Sequence, residues 1–160
     1  MAVFLTKLLL ALALQTQPVR AAELAFDFKA AQVMLVGVLK WKDPAWTRFS
    51  PRGRQDQALE QALRANGVTE ENMHALYDVN ATRDAILAAL DSAIRDASGD
   101  LIFYFTGHGI HGDLNPDEIY ITPYDIIDDY DAHAISTELL YDRIAENFKG
   151  KRVILLGDFC

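Results

Sequence analysis

Uninterrupted apolar runs of strand length mark the frame of the chain at residues 33–39, 101–105 and 153–156. Runs of this kind are typical of strands buried on both faces of a sheet. Residues 72–77 and 118–122 give weaker strand patterns, the second of them compatible with one arm of a hairpin. The chain is therefore expected to contain a largely buried sheet.

Helical spacing of apolar residues separates these runs. Residues 55–66 form the first predicted helix, which the Asn-Gly pair at its end terminates. Asn80 is the predicted N-cap of a second helix, and Ser136 that of a third, which ends near residue 148. The second helix is predicted to bury Ile86, Leu87, Leu90 and Ile94. Alternating strands and helices predict one α/β domain with a mostly parallel sheet and helices on both faces.

The first 21 residues have the pattern of a signal peptide. Lys7 provides a positive charge, residues 8–14 are apolar, and residues 19–21 resemble a small-residue cleavage site. The apolar run is far shorter than the roughly 20 residues that span a bilayer, so we expect no stable membrane anchor. This interpretation predicts an exported protein, periplasmic or secreted, with residues 22–160 as the folded domain.

Composition narrows the possible partners. The chain has 51% hydrophobic and 24% charged residues and a net charge of −8, as expected for a globular domain. Nucleic acid is not an expected partner, because phosphate binding needs clustered Lys and Arg. The single cysteine, Cys160, forms no intrachain disulfide, so in an oxidising compartment its thiol is expected to be either buried or used.

Two reactive residues follow predicted buried strands. His108 comes after the run at 101–105 and Cys160 after the run at 153–156. Parallel strands end at the same edge of a sheet, where α/β proteins place their sites. A nucleophilic thiol needs a nearby base, and imidazole suits that role. Each residue alone also fits a structural role, but together they favour a catalytic pair.

Several segments resemble the caspase and metacaspase superfamily. Residues 103–109 are similar to its strand followed by a Ser/Thr/Ala-Gly-His-Gly turn, and residues 153–160 to its apolar strand ending in Asp-x-Cys. Residues 120–125 and 134–139 are similar to segments between those motifs. The resemblance extends over about residues 33–160 and implies a three-layer caspase-like α/β fold.

The resemblance also implies a cysteine endopeptidase that acts on peptide or protein substrates without a metal in its chemistry. Cys160 would attack the peptide carbonyl and His108 would transfer protons. The backbone N–H groups of Gly109 and Cys160 would hold the oxyanion. Asp158 would bind a basic residue at P1, the substrate residue whose carbonyl is attacked.

Other interpretations remain open. Residues 52–56 are similar to the Arg-containing loop with which caspases bind a P1 Asp, but also to the Asn-Asp pair of metacaspases, with Gln55 replacing Asn. We favour a basic P1 residue, since Asp158 is near the nucleophile and Arg52 fits a solvated loop charge. A legumain-like or transamidase-like peptidase and a non-catalytic interaction module are the alternatives.

The acidic residues, the two tryptophans and the end of the sequence also support predictions. A cluster of acidic residues is interpreted as a solvated loop, with calcium binding as the alternative. Its members are Asp113, Asp117, Glu118, Asp125, Asp128, Asp129 and Asp131. Thr137 and Glu138 stand where metacaspases have an Asp pair that binds calcium. Trp41 and Trp46 are interpreted as packing or loop-anchoring residues. Members of the caspase and metacaspase superfamily continue after the nucleophile with Ser-Gly and further strands, so the sequence is expected to be a fragment that is inactive alone.

Overall fold

The structure, a computed structural model, describes residues 25–112, 116–127 and 130–160. Among these, the strands are β1 (Gln32–Gly37), β2 (Met73–Tyr77), β3 (Asp100–Thr106), β4 (Gly109–His111), β5 (Ile119–Ile121), β6 (Ile135–Ser136) and β7 (Arg152–Asp158). The helices are α1 (Gln55–Ala65), α2 (Arg83–Asp96), α3 (Tyr130–His133) and α4 (Thr137–Asn147). The predicted signal peptide, residues 1–21, lies outside the described residues.

A four-stranded parallel sheet in the order β2-β1-β3-β7 forms the centre of the domain. All residues of β1 and β3 are buried, as their uninterrupted apolar sequences predict. A small antiparallel sheet, β4-β5-β6, lies beyond the end of β3. The site is therefore expected where β3 leaves the parallel sheet and enters β4.

Helices pack against both faces of the parallel sheet. On one face, Leu90 of α2 and Ile144 of α4 join the core formed by Phe103 and neighbouring side chains. On the other, Leu63 of α1 packs with Leu35 and other side chains of the sheet. Each such side chain contributes about 1.5–3 kcal/mol through removal of apolar surface from water. This arrangement confirms the predicted α/β class with its mostly parallel sheet.

The end of α1 and the start of α4 agree with the sequence, whereas the start of α2 does not. Asn66 caps the C-terminus of α1, and Gly67 follows with a φ of +111°, which glycine adopts readily. Ser136 caps α4 by accepting the Leu139 N–H. The predicted Asn80 cap of α2 is wrong. Asn80 ends a short 3₁₀ helix, and Thr82 caps α2 through its hydroxyl oxygen, which accepts the Ala85 N–H at 3.3 Å.

Strand β7 differs from its predicted burial. Leu155 and Leu156 are 51% and 44% exposed, because within the described residues β7 pairs with a strand, β3, along one edge only. At its start, Arg152 donates two hydrogen bonds to the buried carboxylate of Asp100, at 3.1 and 2.7 Å. This ion pair joins the first residues of β3 and β7 and supports their register.

No helix in the described part of the chain is long and apolar enough to cross a membrane.

Candidate functional site

The register between β3 and β7 brings the two candidate catalytic residues to the same edge of the sheet. Thr106 pairs with Asp158 at the carboxyl ends of these strands. His108 and Cys160 each follow two residues later. A Cβ atom added to Gly109 would overlap the Cys160 carbonyl oxygen, so the backbones after the two strands are in close proximity. Cys160 itself is exposed.

One nitrogen of the His108 imidazole is already engaged. Nε2 lies 2.8 Å from the Thr47 carbonyl oxygen. A carbonyl oxygen can only accept, so Nε2 must carry the proton in this hydrogen bond. In the neutral ring, Nδ1 is then the nitrogen with a free lone pair. The Thr47 carbonyl therefore fixes the tautomer that a general base requires.

The main chain of His108 is also held in place. The Thr122 hydroxyl donates to the His108 carbonyl oxygen at 3.0 Å, and the Trp41 indole N–H donates to the same hydroxyl oxygen at 3.1 Å. Thr122 and Trp41 are both buried. A buried chain of two hydrogen bonds thus connects the loop after β1 to the turn that carries the candidate base.

An open cleft of about 420 Å³ lies beside Cys160. Asp158 is one of its lining residues, and its Oδ2 accepts from the Thr106 hydroxyl at 3.2 Å and from the Tyr104 hydroxyl at 3.5 Å. Burial is the main cause that raises the pKa of Tyr104, so its hydroxyl stays a donor at neutral pH. The side-chain donors to Asp158 are thus neutral hydroxyl groups. No ion pair among the described residues involves Asp158.

Arg54 and Asp56, which also line the cleft, belong to a network of charged residues. Arg54 donates to the buried carboxylate of Asp56, with a shortest distance of 2.6 Å, to Asp78 at 2.5 Å and to the Gly37 carbonyl oxygen at 3.2 Å. The hydrogen bond with Asp56 is the main cause that raises the pKa of Arg54. Most of the guanidinium N–H groups therefore already have acceptors within the protein.

Asp78 connects this network to the loop after β1. Its other carboxylate oxygen accepts the N–H groups of Leu39 and Lys40, at 2.8 and 3.2 Å, and its φ is +47°. By contrast, Arg52, the arginine considered from sequence, is exposed and is not among the cleft-lining residues. Its interpretation as a solvated loop charge fits this position.

The acidic segment supplies no metal-binding group among the residues that the structure describes. Asp125 accepts the Arg83 N–H at 2.8 Å, and Glu118 accepts the Glu138 N–H at 3.1 Å. Asp113, Asp128 and Asp129 lie outside the described residues, and nothing is described of the Asp131 side chain. Calcium binding stays a hypothesis.

Sequence reasoning missed two parts of the site. The Thr47 carbonyl had no signature, because every residue carries a carbonyl and only the fold selects this one. The Arg54–Asp56 pair had a weak signature: the two charges lie two residues apart at a helix start.

No protein-family model matches this chain, and no curated protein matches it significantly.

Proposed function

We propose that this protein is a caspase-like cysteine endopeptidase that cleaves after basic residues. The observation that carries the proposal is the shared position of His108 and Cys160, each two residues beyond a register pair of adjacent parallel strands. It is supported by the exposure of the thiol and by the hydrogen bond that leaves Nδ1 of His108 with a lone pair.

The proposed reaction follows from the chemistry of these groups. His108 accepts the thiol proton, and the Cys160 sulfur attacks the carbonyl carbon of the scissile peptide. The C–N bond then breaks, the amine leaves with the proton from His108, and a thioester remains. Water activated by the same imidazole hydrolyses the thioester and restores the thiol. Backbone N–H groups of Gly109 and Cys160 are proposed to stabilise the oxyanion.

The preference for a basic P1 residue rests on the charges of the cleft. Asp158 presents a carboxylate whose protein partners are hydroxyl groups, so it retains acceptor capacity for a Lys or Arg side chain. Arg54, the cation that could attract an acidic side chain, is neutralised by Asp56 and Asp78. The acidic net charge of the chain favours the same class of substrate.

Hydrolysis of matched fluorogenic peptides that differ only at P1 tests this proposal in the full-length protein. We expect cleavage after Arg and Lys and loss of cleavage by at least about 10²-fold in Cys160→Ala and in His108→Ala. His111→Ala, which removes a nearby exposed imidazole, is the matched control and should retain activity.

Substitution Asp158→Asn separates specificity from chemistry. Because the amide loses the charge that pairs with Lys or Arg, we expect kcat/KM for these peptides to fall by about 10²-fold. Alkylation of Cys160 by iodoacetamide, which has no P1 side chain, should change little. Cleavage after Asn would instead support a legumain-like peptidase, and cleavage after Asp would refute the basic preference. A folded protein with no hydrolysis and an inert thiol would support a non-catalytic module.

A further inference from the structure

Three aromatic rings surround the imidazole of His108. The centroids of Trp41 and Phe49 both lie 4.5 Å from that of His108, and the centroid of Trp46 lies 5.5 Å away. We call Trp41, Trp46 and Phe49 the aromatic clamp. Its members also contact one another, with Trp41 stacked on Trp46 at 6.0 Å and edge-on to Phe49 at 5.7 Å.

The clamp and the hydrogen-bond acceptor of the imidazole come from one segment. Thr47, whose carbonyl accepts from Nε2, lies between Trp46 and Phe49 in the sequence. The segment is anchored at both ends: the Phe49 N–H donates to the Leu39 carbonyl at 3.0 Å, and buried Trp41 donates to Thr122. Residues 41–49 therefore hold the ring of His108 through tilted aromatic contacts and through a hydrogen bond to one of its nitrogens.

This arrangement restricts the motion that would most damage a general base. A half-turn of the imidazole about its second side-chain torsion exchanges Nδ1 with Cδ2 and Nε2 with Cε1, so it would displace both nitrogens and break the hydrogen bond to the Thr47 carbonyl oxygen. That torsion is intrinsically soft. Rings packed at 4.5 Å oppose the rotation, since the turning imidazole would collide with them. Aromatic faces also attract the imidazolium that forms when His108 takes the thiol proton.

We propose that the aromatic clamp is a positioning device for His108, which keeps Nδ1 available to Cys160 throughout the reaction. The clamp residues act through the imidazole and are not themselves catalytic. This proposal rests on the proposed role of His108 as the base.

The clamp could instead form an apolar wall for a substrate side chain, because Phe49 lines the cleft and is 38% exposed. The two roles predict different kinetics. A wall acts on substrate binding, so its loss raises KM and leaves attack on a small reagent unchanged. A positioning device acts on the base, so its loss slows every reaction of the thiol.

The test measures alkylation of Cys160 by iodoacetamide, which is too small to use a side-chain wall. The chain has one cysteine, so labelling reports that thiol alone. We expect Trp46→Leu and Phe49→Leu each to lower the alkylation rate constant by about tenfold, and Phe49→Tyr to restore it. Phe26→Leu is the matched control, since Phe26 belongs to an aromatic pair with Phe28 elsewhere and should leave the rate unchanged.

Nitrogen-15 NMR of the His108 ring provides the second readout. In the wild type we expect one tautomer with the proton on Nε2, and in the two leucine variants a mixture of tautomers. If the folded leucine variants showed the wild-type alkylation rate and an unchanged spectrum, the proposed positioning role of the aromatic clamp would be refuted. An unchanged alkylation rate in His108→Ala would instead overturn the proposed catalytic pair, which distinguishes the two failures.

Discussion

Asp56 is a fully buried carboxylate whose charge is balanced by a neighbouring side chain. Its partner Arg54 is itself only 10% exposed, and the two are in contact with each other where they line the cleft. Burial of either charge alone would be costly, because water is replaced by a medium of low dielectric constant. The pair therefore stabilises the cleft wall only while both members are present.

The substitution Asp56→Asn is expected to reduce the free energy of unfolding by about 3 kcal/mol, since it leaves Arg54 without its main counter-charge. Urea denaturation measures the change. Asp91→Asn is the matched control: Asp91 pairs with Arg143 but is 51% exposed, so its loss should cost less than about 1 kcal/mol. Equal effects of the two substitutions would contradict the role of burial.

A pH dependence is expected from His74 on β2. Burial lowers its pKa from the ordinary value of 6.5, although Asp96 acts in the opposite direction, and its Nε2 lies 3.0 Å from the Gln32 side-chain oxygen. The stabilising effect of neutral His74 is fully present above pH 6.5. It is lost as the pH falls, because the unfolded chain then binds a proton that the folded chain does not.

Comparison of wild type with His74→Gln by denaturant titration at several pH values tests this expectation. The free energy of unfolding of the wild type should decrease more steeply below pH 6.5 than that of the variant, which has no titrating group at this position. Parallel pH profiles would show that burial of His74 does not perturb its protonation.

At the scale of elements, the patterns that predicted the fold best were those with a local cause. Helix α1 ends just before Asn66 and Gly67, and α4 begins after Ser136, because caps and turns are encoded within a few residues. The exposure of β7 could not be predicted, because an apolar run does not reveal how many strands flank it. Likewise, only the folded chain shows that the Thr47 carbonyl reaches His108.

Ser136→Ala tests the local origin of α4. The hydroxyl oxygen accepts the Leu139 N–H at 2.9 Å, so its removal should reduce the free energy of unfolding by about 1 kcal/mol. Thr137→Ala, one residue further on at an exposed position, should have a smaller effect. Thermal unfolding of both variants measures the difference, and equal changes would argue against a cap at Ser136.

At the scale of the whole molecule, the parallel sheet explains why residues far apart in sequence can share one site. The Asp100–Arg152 ion pair supports the register at the start of β3 and β7, and the same register continues to Thr106 and Asp158 at their ends. His108 and Cys160 leave the sheet from these ends. We propose that His108 and Cys160 act as one catalytic unit.

The most direct test of that claim is the alkylation rate of Cys160 near neutral pH in wild type and in His108→Ala, with His111→Ala as the control. A base that assists thiolate formation should make the wild-type rate about 10²-fold greater than that of His108→Ala, while His111→Ala should match the wild type. Equal rates in wild type and in folded His108→Ala would contradict the proposed catalytic pair.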